Sequence, residues 1–224
     1  MHDSRVVPIH HPSEELLLEY ASGAVSEPVA LLVATHLALC PTCRRSLAEL
    51  EAVGGALLDE APSEQVADDS LPRLMARLDK PEAHETLATG PGPQDFGDGA
   101  VPQPLREYLG TTLDDLPWRR LGPVSEVRLL PDFAPITTRL LKIRPGTAMP
   151  SHTHGGQELT LVLKGGFVDG TGHYLRGDVA EVGSEVDHQP VADDDEICIC
   201  LAVTDAPLRL TSRFGRMLNP FIRI

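Results

Sequence analysis

Gly146-Thr-Ala-Met-Pro-Ser-His152-Thr-His154-Gly-Gly-Gln-Glu158-Leu-Thr-Leu-Val-Leu-Lys-Gly165 is the most specific run in this chain of 224 residues. His152 and His154 are two apart, so on a strand both side chains leave the same face. Glu158 begins the next apolar run and is placed to face the same interior. A barrel interior that receives all three can hold one divalent ion and keep a position open. The bland alternative is two histidines stranded in a turn.

Working outward, short apolar runs alternate with turn residues. ITTRLLKI (136–143), ELTLVLKGGF (158–167), DVAEV (178–182), EICICLAV (196–203) and LRL (208–210) are separated by RPG, GG, DGTG and RGD. Many short strands at regular spacing predict a β-barrel or sandwich. The run 146–165 resembles the first cupin motif, G-x5-H-x-H-x3-E-x6-G, at each defined position. A second cupin motif matches less fully over Gly177-Asp-Val-Ala-Glu-Val-Gly183-Ser-Glu185-Val-Asp-His188. Gly183 replaces the usual Pro, Glu185 replaces the usual Gly, and the Asn after the His is missing. These departures leave His188 in place as the fourth ligand that the resemblance implies. Cys198 and Cys200 lie two apart on one face of a strand. They are either oxidant-sensitive thiols near the barrel metal or buried small hydrophobes.

The first third of the chain reads as helices. Ser13-Glu14-Glu15 is a capping hydroxyl followed by first-turn acids, and Gly23 ends that helix. Ser26-Glu27-Pro28 starts a second helix, running through Leu31, Leu32 and His36. Pro41 interrupts it, and a third follows from about Thr42 to Leu58. A fourth, from about Ser70, presents Leu71, Leu74, Met75 and Leu78 as one apolar stripe. His36 and Cys40, four apart, share a helical face, and Cys40-Pro-Thr-Cys43 turns the chain so that Cys43 adds a third donor. Such Cys/His sets suit tetrahedral zinc. The fourth donor must come from upstream, and spacing physics leaves His10 and His11 equal. A buried thiol pair and a redox CxxC are the competing readings.

H-x3-C-x2-C after an upstream histidine resembles the zinc-binding anti-sigma factors over roughly residues 1–80. The family spacing, about 25 residues from the first histidine to the second, picks out His11 with His36, Cys40 and Cys43. The resemblance implies a helical zinc platform that inserts between the two regions of an extracytoplasmic-function sigma factor, and it gives the stripe Leu71, Leu74, Met75, Leu78 a part in gripping it. Core packing is the other reading of that stripe. Joined to a cupin, the whole resembles the ChrR-type anti-sigma factors. That implies release of the sigma factor under singlet oxygen or organic hydroperoxide stress, with zinc at both sites. The cupin metal could instead be iron, manganese or nickel.

The expected fold is therefore two-domain. An all-α zinc-binding module spans 1–85, a linker 86–110, and an all-β cupin barrel 111–224. The stretch PEAHETLATGPGPQDFGDGAVPQP (81–104) carries the linker reading and suggests two units with separate cores. A formal net charge of -14 argues against direct nucleic-acid binding. There is no apolar run near membrane-span length and no secretory pattern at the start, so a cytoplasmic location is expected. The four cysteines form two close pairs, which in a reducing compartment point to metal or redox chemistry rather than disulfides. The competing function is a cupin enzyme, a dioxygenase or isomerase, with an N-terminal zinc module for assembly.

Overall fold

A computed structural model describes residues 7–78 and 101–211. The first helix, α1 (Glu14–Ala21), begins as its sequence suggests: Ser13 Oγ accepts Leu16 N at 3.3 Å, and two acids fill the first turn. α2 (Glu27–Leu39) is apolar around most of its circumference and buries Leu31, Leu32, Val33 and Leu37. A helix of that kind must be covered on several sides. α3 (Pro41–Glu60) takes Pro41 at its first position, where a missing N–H costs nothing. The proline that stops α2 thus also starts α3, with Cys40 between them as the cap of both. α4 (Ser70–Leu78) follows. Among the described residues no helix is long and apolar enough to cross a membrane.

The linker expectation needs correction over its last part. Gln103–Leu109 form α5, with Val101, Leu105 and Leu109 buried and the helix packed on α2. Its prolines precede or open the helix rather than break it. Leu105 and Leu109, four apart, face inward, and Gly110 closes the helix at φ 64°. Residues 79–100 lie outside the described residues.

Eleven short strands are described after α5. They are β1 (Arg119–Leu121), β2 (Val124–Leu129), β3 (Thr137–Ile143), β4 (His152–His154), β5 (Glu158–Lys164), β6 (Gly166–Val168), β7 (His173–Leu175), β8 (Val179–Val182), β9 (Val191–Ala192), β10 (Cys198–Thr204) and β11 (Leu208–Leu210). The run 158–167, read as one strand, divides at Gly165. This residue has φ 65°, and a Cβ there would meet Ile197 O at 2.7 Å, so only glycine turns the chain at that point. β1-β2-β3-β10-β5-β8 form one antiparallel sheet, and β11-β4 and β7-β6-β9 form two smaller ones.

Strand β10 shows how the two halves are joined. It is buried along its whole length. Cys198 and Cys200 belong to an inner cluster with Ile143, Val162, Phe167 and Tyr174. Ile199, Leu201 and Val203 face the other way and share a cluster with Leu140, Leu161, Leu32, Val33 and Leu105. The helical module therefore covers the outer face of the large sheet, and the expectation of separate cores does not hold. A strand that reads as continuously apolar is one covered on both faces.

The junction is also hydrogen-bonded. In the turn between β7 and β8, the buried Asp178 carboxylate accepts Ile9 N at 2.7 Å, His10 N at 3.0 Å and Leu175 N at 2.9 Å. Ser13 N donates to Glu181 Oε1 at 2.8 Å, and Val179 N donates to His10 O at 3.1 Å. Burial pushes the Asp178 carboxyl up, but the N–H groups of His10, Leu175 and Ile9 and the His10 imidazole outweigh it and leave its pKa lowered. A lowered carboxylate contributes stability that is full above its ordinary value of 3.8 and is lost as pH falls through the lowered native value. Asp178→Ala should cost about 3 kcal/mol at neutral pH, because buried N–H groups lose their acceptor. A urea titration checks this. The gap between variant and parent should close as the pH is taken below 3.8.

Candidate metal centres

The first cluster joins three chain segments. His11 lies just before α1, His36 in the last turn of α2, and Cys40 and Cys43 flank the start of α3. One donor atom from each lies within 4.8 Å of all the others. His11 Nδ1 is 3.5 Å from Cys40 Sγ and 3.4 Å from Cys43 Sγ. The structure separates the two candidate histidines: His10 turns to Asp178 at 3.3 Å and packs on the Tyr174 ring, away from the sulfurs.

The donor chemistry fits a cation. His36 Nδ1 sits 2.7 Å from the Gly177 carbonyl, which can only accept, so Nδ1 carries the proton and Nε2 presents a bare lone pair. That Nε2 is buried and has no hydrogen-bond partner among the described residues. Burial is the main reason the His36 pKa is pushed down to about 4, with His11 adding to it, so the ring is neutral, as a ligand must be. Burial and the neighbouring Cys40 sulfur push the Cys43 thiol up to about 12. A cation removes that penalty by coordinating the thiolates. The Gly177 carbonyl is an outer partner that orients the ligand, and it comes from the sheet domain.

The second cluster is His152, His154, Glu158 and His188, again within 4.8 Å of one another. β4 supplies both of its histidines to one face, as their spacing requires. β5 supplies Glu158, and His188 arrives through a bridge to His152. His188 Nε2 is 3.1 Å from His152 Nε2 and 3.2 Å from His154 Nε2, and Glu158 Oε2 is 3.2 Å from His154 Nε2. His152 Nδ1 lies 2.7 Å from the Pro150 carbonyl and His188 Nδ1 lies 3.3 Å from Asp169 Oδ2. Both rings therefore hold their proton on Nδ1, and two bare lone pairs face each other. That contact is repulsive unless a cation lies between them. Burial lowers the pKa of His152 and His154, favouring the neutral ligand form.

Asp169 is a functional residue that the sequence reading missed, taking it as one letter of the DGTG turn. Burial raises its pKa, but hydrogen bonds from Thr171, His188 and Gly172 outweigh burial and keep it ionised, so it can hold the His188 ring in place. Cys198 and Cys200 do share a face, with Sγ atoms 3.4 Å apart. The Cys198 contact and then burial push the Cys200 pKa well up. A protonated buried thiol is a poor nucleophile, which suits the packing role better than the redox one. The stripe Leu71, Leu74, Met75, Leu78 is exposed and touches no core, so the core-packing reading of α4 fails among the described residues.

With this geometry in view, known proteins supply a context. A family model described as the ChrR cupin-like domain matches residues 107–207. The anti-sigma-E factor ChrR of Cereibacter sphaeroides is 43% identical over 215 residues, covering 96% of this chain and 98% of the relative. The crystal structure of Rhodobacter sphaeroides SigE in complex with the anti-sigma ChrR contains a chain that superposes with a TM-score of 0.76 at 41% identity, over 88% of this chain and 98% of that one. Two side-chain clusters that could each hold a metal ion, a helical module laid on a cupin sheet and near full-length similarity lead to one conclusion: the chain belongs to the ChrR family of anti-sigma factors.

Proposed function

We propose that this protein is a cytoplasmic anti-sigma factor. It sequesters an extracytoplasmic-function sigma factor through its helical module and releases it when the cupin domain senses oxidative stress, as singlet oxygen or organic peroxide. It is a regulator rather than a dioxygenase or isomerase, in keeping with its family. Zinc at His11, His36, Cys40 and Cys43 holds the platform together. A second ion at His152, His154, Glu158 and His188, zinc before iron, manganese or nickel, belongs to the sensor.

The observation that carries this reading is the uncovered apolar surface of the helical module. Leu71, Leu74, Met75 and Leu78 of α4 are between 50% and 70% exposed, and Val53, Leu57 and Leu58 of α3 are exposed as well. Exposed apolar side chains clustered in this way along α4 and the end of α3 of a strongly acidic chain call for a protein partner. Leu74→Glu/Leu78→Glu should weaken retention of the co-expressed sigma factor by about 100-fold, on the order of 3 kcal/mol. Zinc content and helicity should stay unchanged, because neither side chain touches the core. Co-purification at parental yield would remove α4 from the interface.

A further inference from the structure

A cavity of about 390 Å³ lies inside the sheet domain, against the second metal cluster. Leu141, Ile143, Phe167, Val182 and Leu208 make its walls apolar. Its size falls within the range of small-molecule sites, which are mostly apolar with a few placed polar groups. Polar groups gather at one end. Arg139 on β3 pairs with Ala202 on β10, which pairs with Thr160 on β5. Glu158 is two residues along β5 on the same face, so the guanidinium and the metal cluster share that end of the inner surface.

Arg139 is the unexplained residue. It is 94% buried, being 6% exposed, and its Nε has no hydrogen-bond partner among the described residues. Its contact with Glu126 is 3.9 Å, beyond hydrogen-bond range, while Glu126 is engaged by Arg119 at 2.9 Å. A buried guanidinium whose Nε is unpaired and whose ion pair with Glu126 is as long as 3.9 Å is incompletely satisfied, and its fork matches a carboxylate. Glu126 and Glu158 nearby disfavour a doubly charged head group.

We propose that this cavity binds a lipophilic monocarboxylate, its chain along the apolar wall and its carboxylate on Arg139. Nothing in the anti-sigma function requires this site, and its test does not involve sigma release. Decanoate titrated calorimetrically into the full-length protein should bind saturably, one per chain. Decanol should bind about tenfold more weakly or worse, since a charge-assisted hydrogen bond is lost. Arg139→Gln should erase the difference between the two. Ala148→Trp, on the exposed rim of the cavity, should abolish binding of both without changing secondary structure, and it decides the matter if Arg139→Gln does not fold. No saturable binding, equal affinity for decanol and decanoate, or parental binding by Ala148→Trp would each overturn the proposal.

Discussion

Replacing Cys40 and Cys43 together with serine should release α1 and α3 and end retention of a sigma factor. The first cluster ties the segment before α1, the end of α2 and the start of α3 to one point. Cys43 is the only buried residue of α3, with Leu47 and Leu50 half-buried against the core, so the cluster is its main anchor. Structural zinc contributes on the order of 10 kcal/mol in small domains, comparable with the whole stability of a typical fold. The loss should not be uniform. α2 is buried against α5 and the outer face of the sheet, so it keeps its place while its neighbours fray. Circular dichroism should show partial loss of helix together with loss of zinc from this centre. A metal-free variant with full helicity that still retains the sigma factor would refute the structural role of the ion.

The second large effect concerns response rather than binding. His152→Ala/His154→Ala should still retain the sigma factor yet fail to release it under singlet oxygen. Removing both imidazoles takes two donors from the second cluster but touches neither α4 nor the first cluster. Release requires that two states of the sheet domain differ in their hold on the helical module. The contacts for that exist in one turn. The Gly177 carbonyl orients His36, and Asp178 next to it holds Ile9 and His10, just before the candidate ligand His11. A differential of about 3 kcal/mol across this turn would weaken sigma binding by about 100-fold. The measurement is sigma release from the immobilised complex during illumination with a photosensitiser. Release at the parental rate would exclude the second cluster from sensing.

Residue spacing alone placed part of each candidate donor set, His36, Cys40 and Cys43 in one and His152, His154 and Glu158 in the other, because ligand chemistry is local for these residues, whereas His11 and His188 rested on the family resemblance. His152 and His154 are two apart on a strand, and His36 and Cys40 are four apart on a helix, so backbone periodicity brings each pair together. The strands were legible for a similar reason: apolar runs bounded by Gly, Pro and Asp leave few other conformations. The stop at Pro41 was legible too, although its second role as the first residue of α3 needed the cap geometry at Cys40.

Tertiary structure decided what depends on partners distant along the chain. His10 and His11 are adjacent and chemically equal. Only the position of Asp178, 168 residues after His10, draws one of them away from the sulfurs. The helix Gln103–Leu109 was hidden in a Pro-rich stretch because its two inward leucines gain their stabilisation from α2 rather than from local propensity. The shared core was hidden as well. A fully apolar strand such as β10 announces that both of its faces are covered, but not that one cover is the helical module. Asp169 and Arg139 acquire meaning only when the sheet places them beside His188 and beside an apolar cavity. A lone charged residue in a sequence carries no record of what it will be buried against.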